Sequence, residues 1–316
     1  MSDSPAISVI IATYKRPLML QRCLDSLVQA NKPERGIEII VVDDGGGMEL
    51  DTGKYAGEID IQWLQLDVNQ GQSTAQSRGV EAACSEILTF LDDDAIVDEN
   101  WLRAIQSYFE KYPEISALMG KIEPIDPTHI LVRMRQQIYE RRHRKYTDLN
   151  WKNKICQDYG LRVPPEALIC DHISGGNSAL KRQTLAAIGG LATNMCRNAD
   201  DFLTRRLLGA SYAIGYNPDM VIYHQHNESW QITLQQAFQE GLAREYSRAL
   251  VSGDQRRTAF FSVIPNMLKV PFEILDFPEM LAADKNKLKV YLIYTLHQGL
   301  IVAGKFWQNI SNWKSG

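Results

Sequence analysis

The chain up to Glu110 alternates between short apolar runs of strand length and amphipathic helical patterns. The pattern that begins at Pro17 places Leu20, Leu24 and Leu27 on one face of a helix, and proline is favoured in the first turn of a helix. Strands that alternate with helices form βαβ units around a parallel sheet, so this part of the chain predicts an α/β fold. The predicted strands are residues 7–12, 37–42, 59–66 and 87–91, and the predicted helices begin at residue 17 or span 74–84 and 100–110.

Polar side chains follow three of these strands. They are Thr13-Tyr14-Lys15-Arg16, Asp43-Asp44 and Asp92-Asp93-Asp94. The carboxyl ends of parallel strands meet at one edge of a sheet, where open α/β folds bind ligands, so we expect these groups to share a site. Carboxylates suit Mg²⁺ or Mn²⁺, and Mg²⁺ is often held by one or two carboxylates and substrate phosphates. The acidic triplet therefore predicts a cation site. The alternative is a polar turn in which Asp98 or Glu99 caps a helix beginning near Trp101.

Composition and charge argue against a nucleic-acid partner. The chain has 316 residues, of which 45% are apolar, and its 34 basic and 38 acidic residues give a net charge of −4. This length predicts one large or two small domains. Its five cysteines form no C-x-x-C pair, which predicts reduced thiols and a cytoplasmic protein. The first residues lack the basic region of a signal peptide, so we interpret the apolar run at residues 7–12 as a first strand.

The region from Ser229 onward reads as helical, with predicted helices at about 229–252, 258–276 and 285–312. Its uncharged stretch, residues 290–304, is interrupted by His297 and Gln298 and is shorter than the roughly 20 apolar residues of a spanning helix. Two interpretations stay open. The helices form a packed C-terminal subdomain, or they contact the inner face of a membrane and bring the site to a lipid-linked acceptor.

The middle of the chain is less regular. Residues 168–174 predict a strand that leads into a tight turn at Gly175-Gly176-Asn177. Residues 133–145 carry six basic side chains, which form a solvated helix face or a patch for a phosphate-bearing acceptor or an anionic membrane. Further strands are predicted at 115–122, 212–216 and 220–225, and further helices at 181–188 and 201–208.

Other familiar sites are unsupported. Residues 47–54 miss the P-loop spacing by one residue, and Tyr55 stands where Ser or Thr must bind Mg²⁺. No G-x-G-x-x-G follows a strand, and no G-x-S-x-G is present. His224 and His226 would share one face of a strand. Such a pair is structural unless carboxylates lie nearby.

Six sequence blocks, in order along the chain, resemble those of the family 2 glycosyltransferases, inverting enzymes of the GT-A fold that use nucleotide sugars. The fourth block matches the family's F-L-D-x-D metal motif, and the second is close to its V-D-D-G-S signature. The chain departs from the family at Ala199, where a glutamate usually precedes the aspartate, and at Ser211, where glycine is usual. The blocks are residues 8–17 (SVIIATYKRP), 41–45 (VVDDG), 69–79 (NQGQSTAQSRG), 90–94 (FLDDD), 174–182 (SGGNSALKR) and 199–203 (ADDFL), the last followed by Arg206, Tyr212, Pro218 and His224.

The resemblance implies a GT-A domain over residues 1–228, with a mostly parallel central sheet and a helical subdomain at 229–316. Residues 1–98 would form the nucleotide-binding half, and 99–228 the acceptor and catalytic half. It also implies transfer of a sugar, with inversion, from a nucleoside-diphosphate sugar to a hydroxyl of a carbohydrate or lipid-linked acceptor. UDP is the favoured nucleotide, Mn²⁺ or Mg²⁺ the cofactor, and cell-surface polysaccharide or glycolipid synthesis the setting.

The same resemblance assigns roles to individual residues. Asp200 is the expected general base, although it could also cap a helix beginning at Asp201. Asp94 and His224 are the expected metal ligands, whereas His226 is interpreted as structural. Asp92 is expected to reach the ribose or a metal-bound water, and Asp93 receives no definite role. Nucleotide contacts are expected from Thr13, Tyr14, Arg16, Asp44, Arg78, Asp92 and Asp93, with a surface cation as the alternative for Arg78. Sugar contacts are expected from Gly175, Gly176, Asn177 and Asp201.

Two other functions remain as alternatives. A sugar nucleotidyltransferase would need a glycine-rich turn after the first strand, and residues 13–17 contain no glycine. A catalytically impaired sugar-nucleotide-binding or scaffold protein is favoured by Ala199 and opposed by Asp94, Asp200 and His224.

Overall fold

The structure is a computed structural model that describes residues 5–193 and 199–225. The chain divides into two compact units, one made of residues 1–125 and 144–225 and the other of 126–143 and the residues from 226 onward. The predicted tail helices, the uncharged stretch at 290–304 and His226 lie outside the described residues. The predicted domain boundary at residue 228 therefore stays a prediction. No helix in the described ranges has the length and apolar character needed to cross a membrane.

Strands and α-helices alternate through the first part of the chain, as predicted. The described residues contain eight strands: β1 (Ile7–Thr13), β2 (Ile37–Asp43), β3 (Asp60–Gln65), β4 (Ile87–Asp92), β5 (Ala95–Val97), β6 (Ala117–Pro124), β7 (Asn177–Lys181) and β8 (Ile214–His224). They also contain the helices α1 (Pro17–Gln29), α2 (Gln72–Ala82), α3 (Trp101–Lys111), α4 (Ile130–Arg144), α5 (Leu149–Tyr159), α6 (Arg182–Ala187) and α7 (Ala199–Gly209), with short 3-10 helices at Thr52–Tyr55 and Lys145–Thr147.

One mixed sheet organises the first unit. The strand order is β3-β2-β1-β4-β7-β6-β8-β5. Strands β1 to β4 pair in parallel, and β7 then runs antiparallel to both β4 and β6. The register aligns Thr13 with Asp43, and Ala12 with Asp92. The polar groups that follow β1, β2 and β4 therefore end at one edge, and the α/β prediction is confirmed.

Close packing sets where α2 lies. Gly79 in this helix has no Cβ, and one placed there would press against the Ile10 side chain of β1. Both residues are buried, Ile10 completely. Glycine thus lets the helix approach the strand closely, which brings the N-terminus of α2 to the edge where β1 and β4 end.

Three details differ from the sequence prediction. The strand predicted at 168–174 is an irregular segment with a single bridge, from Ile169 to Gly215, and the strand β7 begins only at Asn177. The two strands predicted around Pro218 are the single strand β8, whose pairing with β6 shifts between Gly120 and Lys121. The prediction missed β5.

Helix α5 was also missed, although its ends carry recognisable signals. The carboxylate of Asp148 accepts hydrogen bonds from the backbone N–H groups of Asn150 and Trp151, and Gly160 ends the helix in the left-handed conformation. Aspartate at an N-cap and glycine after the last turn are favoured for these reasons.

Candidate active site

A cleft of about 300 Å³ opens where β1, β2 and β4 end. Its walls come from the ends of these strands and from the N-terminus of α2. The expectation that the polar strand ends share one site is therefore confirmed. The lining residues are Ala12, Thr13, Tyr14, Arg16, Asp44, Asn69, Gly71, Gln72, Asp92, Asp93 and Asp94.

Asp92, Asp94 and His224 form a cluster of donor atoms. One atom of each lies within 4.8 Å of the others. The Nε2 of His224 is 2.9 Å from Oδ1 of Asp94 and 3.6 Å from Oδ2 of Asp92. Pairing of β5 with β8 places His224 opposite Ala95, so the missed strand β5 is what brings this imidazole to the acidic triplet.

The electrostatics of this cluster follow from its burial and opposite charges. Burial opposes protonation of His224, but the nearby carboxylates of Asp92 and Asp94 outweigh it and raise the pKa of His224 to about 10. Burial likewise favours the neutral form of Asp94, yet His224 and then Arg16 hold the pKa of Asp94 below its usual value. The two carboxylates thus create a strongly negative environment around the imidazole.

These residues fit a divalent cation. Two carboxylates and one imidazole can together ligate a divalent cation, and the carboxylate oxygens are donors that suit Mn²⁺. The position of the Asp92 carboxylate depends on Gly176, because a Cβ at this position would overlap that carboxylate. The sequence alone predicts a structural role for His224 unless carboxylates lie nearby. Asp92 and Asp94 lie beside it, so this condition is met.

Asp93 has partners in the turn after β1. It is buried and accepts a 2.7 Å hydrogen bond from the hydroxyl of Thr13. The Nη1 of Arg16 is 3.1 Å from Asp93 and 3.2 Å from Asp94. Burial raises the pKa of Asp93, although Thr13 and Arg16 act in the other direction. Asp93, whose role the sequence left open, therefore ties the turn after β1 to the acidic triplet.

The two aspartates at the end of β2 organise loops. Asp44 is buried, and its two oxygens accept the backbone N–H groups of Gln70 and Gly71 at 2.7 and 2.8 Å. Asp43 accepts those of Gly46 and Met48, each at 2.9 Å. Asp44 thus holds the loop that leads into α2 while lining the cleft.

The predicted base lies in the first turn of α7. The described part of this helix already includes Ala199, so Asp200 is not the cap of a helix starting at Asp201, as the alternative required. Oδ2 of Asp200 lies 3.9 Å from Nε2 of His172. Asp201 instead makes contacts of 2.9 and 3.2 Å with the guanidinium of Arg205. The two adjacent carboxylates therefore differ in their surroundings.

The sequence model of glycosyl transferase family 2 matches residues 8–164. The chain carries a family 2 glycosyltransferase domain. It is 24% identical over 224 residues to the pre-mycofactocin glycosyltransferase of Mycobacterium tuberculosis (strain CDC 1551 / Oshkosh), an alignment that covers 70% of this chain and 43% of that relative. The chain thus spans less than half of that relative's length.

Solved glycosyltransferases share the fold of this family 2 domain. The mannosyltransferase PcManGT from Pyrobaculum calidifontis, in complex with GDP-Man and Mn²⁺, has a TM-score of 0.58 at 16% identity, covering 99% of this chain and 88% of its own. TarS 1–349 of S. aureus, in complex with UDP-GlcNAc, has a TM-score of 0.51 at 14% identity, covering 98% and 92%. The predicted GT-A fold is confirmed.

Two residues expected at the site of the family 2 domain have other partners. Arg78 is 58% exposed, pairs with Glu81 at 2.7 Å and is not among the residues that line the cleft. Asn177 is completely buried. Its amide accepts from the Trp101 indole and donates to the carbonyls of Lys121 and Met220. A sugar contact by Asn177 would require these bonds to break.

Sequence reasoning overlooked two side chains at this site. Gln72 lines the cleft and donates a 2.7 Å hydrogen bond to Asp92, and His172 faces Asp200. Gln72 follows the Asn69-Gln70-Gly71 block directly, so its position gave a signal. No pattern in the sequence pointed to His172, since the segment that contains it reads as a buried strand.

Proposed function

We propose that this chain is an inverting, metal-dependent glycosyltransferase that moves a sugar from a nucleoside-diphosphate donor to an acceptor hydroxyl. The observation that carries the proposal is the cluster of Asp92, Asp94 and His224, with both aspartates lining the cleft that the strand ends form. The diphosphate leaving group of a sugar nucleotide gains negative charge, which a neighbouring cation stabilises, and this cluster supplies donors for such a cation.

Asp92, Asp94 and His224 are the residues that would hold the cation. When bound, the cation supplies a Lewis acid that stabilises the charge developing on the diphosphate leaving group. Arg16, which already contacts Asp93 and Asp94 and is half exposed, adds a positive charge on the same side of the cleft.

The nucleoside would occupy the part of the cleft formed by the ends of β1 and β2. Tyr14 is 39% exposed there and offers an aromatic face for a base. Thr13 and Asp93 form a hydrogen-bonded pair that shapes the floor. Asp44 keeps lone pairs beyond those used by Gln70 and Gly71 and would accept from the base. UDP remains the favoured nucleotide, in line with the UDP-GlcNAc complex of TarS, whereas the PcManGT complex contains GDP-Man.

Asp200 would act as the general base. Inversion needs one base that takes the proton of the acceptor hydroxyl while its oxygen attacks the anomeric carbon and the bond to the diphosphate breaks. Asp201 is engaged by Arg205, which favours Asp200 for this role. The Nε2 of His172 lies 3.9 Å from the Asp200 carboxylate.

The acceptor would be a carbohydrate or a lipid-linked sugar in cell-surface polysaccharide or glycolipid synthesis. Contact of the predicted tail helices with the inner face of a membrane belongs to the same proposal. Sedimentation of the full-length protein with vesicles that contain anionic lipid tests this contact, and a protein that stays in the supernatant contradicts it.

A thermal-shift panel of UDP-sugars and GDP-sugars, with and without Mn²⁺, tests the donor and the cation together. We expect stabilisation by one nucleotide class that depends on Mn²⁺ and is lost in Asp94→Ala. Nucleotide binding that ignores Mn²⁺ in every case contradicts the cation role of the cluster.

A catalytically impaired sugar-nucleotide-binding protein is the second candidate, because Ala199 stands where the family usually has glutamate. Release of nucleoside diphosphate from the bound donor separates the two candidates. The enzyme releases it faster when an acceptor is added, whereas a binding protein shows donor binding without acceptor-dependent release.

A further inference from the structure

Two glutamines on one face of α2 donate hydrogen bonds to the acidic cluster and to the glycine turn beside it. Gln72 and Gln76 are one helical turn apart, and residues four apart share a helix face. Gln72 is the first residue of α2, directly after the N-cap Gly71. Both side chains donate hydrogen bonds out of the helix, to different parts of the site.

Gln72 contacts the metal-side carboxylate directly. Its Nε2 donates to Oδ1 of Asp92 at 2.7 Å, while Oδ2 of Asp92 faces the imidazole of His224 at 3.6 Å. One oxygen is thus held by a neutral donor, and the other is directed at the remaining members of the cluster. A carboxylate held in this way loses less rotational freedom when a cation binds.

Gln76 acts on the backbone that supports the same carboxylate. It is buried, and its Nε2 donates to the carbonyl of Gly175 at 3.1 Å. The next residue, Gly176, accepts from the backbone N–H of Asp92 at 3.3 Å. Gly176 also lies so close to the Asp92 carboxylate that a Cβ would overlap it. The second glutamine therefore holds the surface against which Asp92 packs.

The position of α2 makes these contacts rigid. The backbone N–H of Gly71 donates to Asp44 at 2.8 Å, and Gly79 packs closely on Ile10 at the other end of the helix. The amide of glutamine also suits the task, since it donates to a carboxylate without adding charge. A lysine at position 72 would repel a cation, and a glutamate would offer no donor to Asp92.

We propose that Gln72, and Gln76 through Gly175, are positioning residues that hold the Asp92 carboxylate in the orientation used for cation binding. This inference rests on the proposed function in one respect, namely that the cluster of Asp92, Asp94 and His224 binds a divalent cation.

Calorimetric titration of the full chain with Mn²⁺ alone tests the role of Gln72. Gln72→Met keeps the length of the side chain and removes the donor, so its Kd for Mn²⁺ should rise by about tenfold, as expected for a lost hydrogen bond to a charged group. Gln72→Lys restores a donor but adds a positive charge, and we expect it to bind Mn²⁺ more weakly than Gln72→Met. Wild-type affinity in Gln72→Met overturns the proposal.

Two controls separate positioning from folding. Gln106 is also on a helix and donates to a neighbouring carboxylate, that of Glu110 at 2.7 Å, and Gln106→Met should leave the Mn²⁺ affinity unchanged. The melting temperature without metal should be the same for Gln72→Met and the wild type, because Gln72 is exposed. If the melting temperature of Gln72→Met falls enough to explain its weaker Mn²⁺ binding by partial unfolding, a positioning role is contradicted.

Gln76→Met should also weaken Mn²⁺ binding, but by less than Gln72→Met, because its effect passes through the backbone of Gly175. Unchanged affinity in this variant removes Gln76 from the proposal. Asp94→Ala distinguishes the two levels of the argument. If it binds Mn²⁺ like the wild type, the cluster is not the cation site and the proposed function fails there. If it loses Mn²⁺ and Gln72→Met does not, only the positioning proposal fails.

Discussion

The hydroxyl of Thr13 donates a 2.7 Å hydrogen bond to the carboxylate of Asp93, across 80 residues of sequence. Thr13 ends β1 and Asp93 follows β4, so this bond joins two neighbouring strand ends at the floor of the cleft. Both side chains are buried. A buried carboxylate without donors is costly, and the turn after β1 supplies them through Thr13 and Arg16.

Replacing Thr13 by valine removes the donor and keeps the shape of the side chain. We expect the free energy of unfolding to fall by about 1.5–3 kcal/mol, the range for a hydrogen bond to a charged group. Urea denaturation measures this difference. Thr13→Ser keeps the hydroxyl and should retain most of the stability, and a Thr13→Val protein as stable as the wild type would show that the bond contributes little.

Gly176 and Gly175 form a matched pair for testing the packing of Asp92. A Cβ at Gly176 would overlap the Asp92 carboxylate, whereas a Cβ at Gly175 meets nothing within 4 Å. Gly176→Ala should therefore displace Asp92 and greatly weaken Mn²⁺ binding and transfer, and Gly175→Ala should leave Mn²⁺ binding unchanged. Calorimetry with Mn²⁺ and an assay of nucleoside-diphosphate release measure both. Equal effects of the two alanines would argue against this geometry.

Asp200 and Asp201 provide a second matched pair. Asp200→Asn should lower the rate of transfer by about 100- to 10,000-fold, the contribution of a general base, with nucleotide binding nearly intact. Asp201→Asn weakens the contact with Arg205 and should affect stability more than rate. Donor binding and turnover, measured on both variants, check the assignment. Full activity in Asp200→Asn would falsify it.

Glu38 predicts a pH-dependent contribution to stability on the opposite edge of the sheet. Burial alone would raise the pKa of Glu38, but hydrogen bonds from Ser8 and from Cys84 and Ser85 outweigh it and hold the pKa below the ordinary 4.5. Because the folded-state pKa is depressed, the stabilisation is complete above 4.5 and is lost as the pH falls through the lower folded-state value.

Glu38→Gln should consequently destabilise the protein at neutral pH, and the difference from the wild type should shrink in acid. Urea denaturation at a series of pH values from neutral downward measures this difference. A gap between the two proteins that stays constant with pH would mean that ionised Glu38 is not the stabilising species.

The sequence predicted which polar residues lie at the carboxyl ends of the parallel strands, because the apolar runs before them are strong local signals. The runs that became β1, β2 and β4 are mostly apolar, and each ends in polar residues. Because the strands pair in parallel, the polar residues at their carboxyl ends lie at the same edge of the sheet. Asp44, Asp92 and Asp94 could thus be placed at the cleft without coordinates.

Contacts between distant segments were beyond the reach of local patterns. Residues 168–174 have the composition of a strand, yet only Ile169 makes a bridge, to Gly215 of β8. The same segment carries His172, whose proximity to Asp200 follows from packing against α7, where Ile173 donates to the hydroxyl of Thr204.

The amino-acid sequence by itself determined the α/β class, the family and the acidic triplet at a strand end, since apolar periodicity and short motifs are local properties. Only the tertiary structure decided which partners each of the three carboxylates contacts. Asp92 is held by Gln72 and Gly176, Asp93 by Thr13 and Arg16, and Asp94 by His224. These partners come from elements far apart in sequence, and their meeting depends on sheet pairing and close helix packing that no local pattern records.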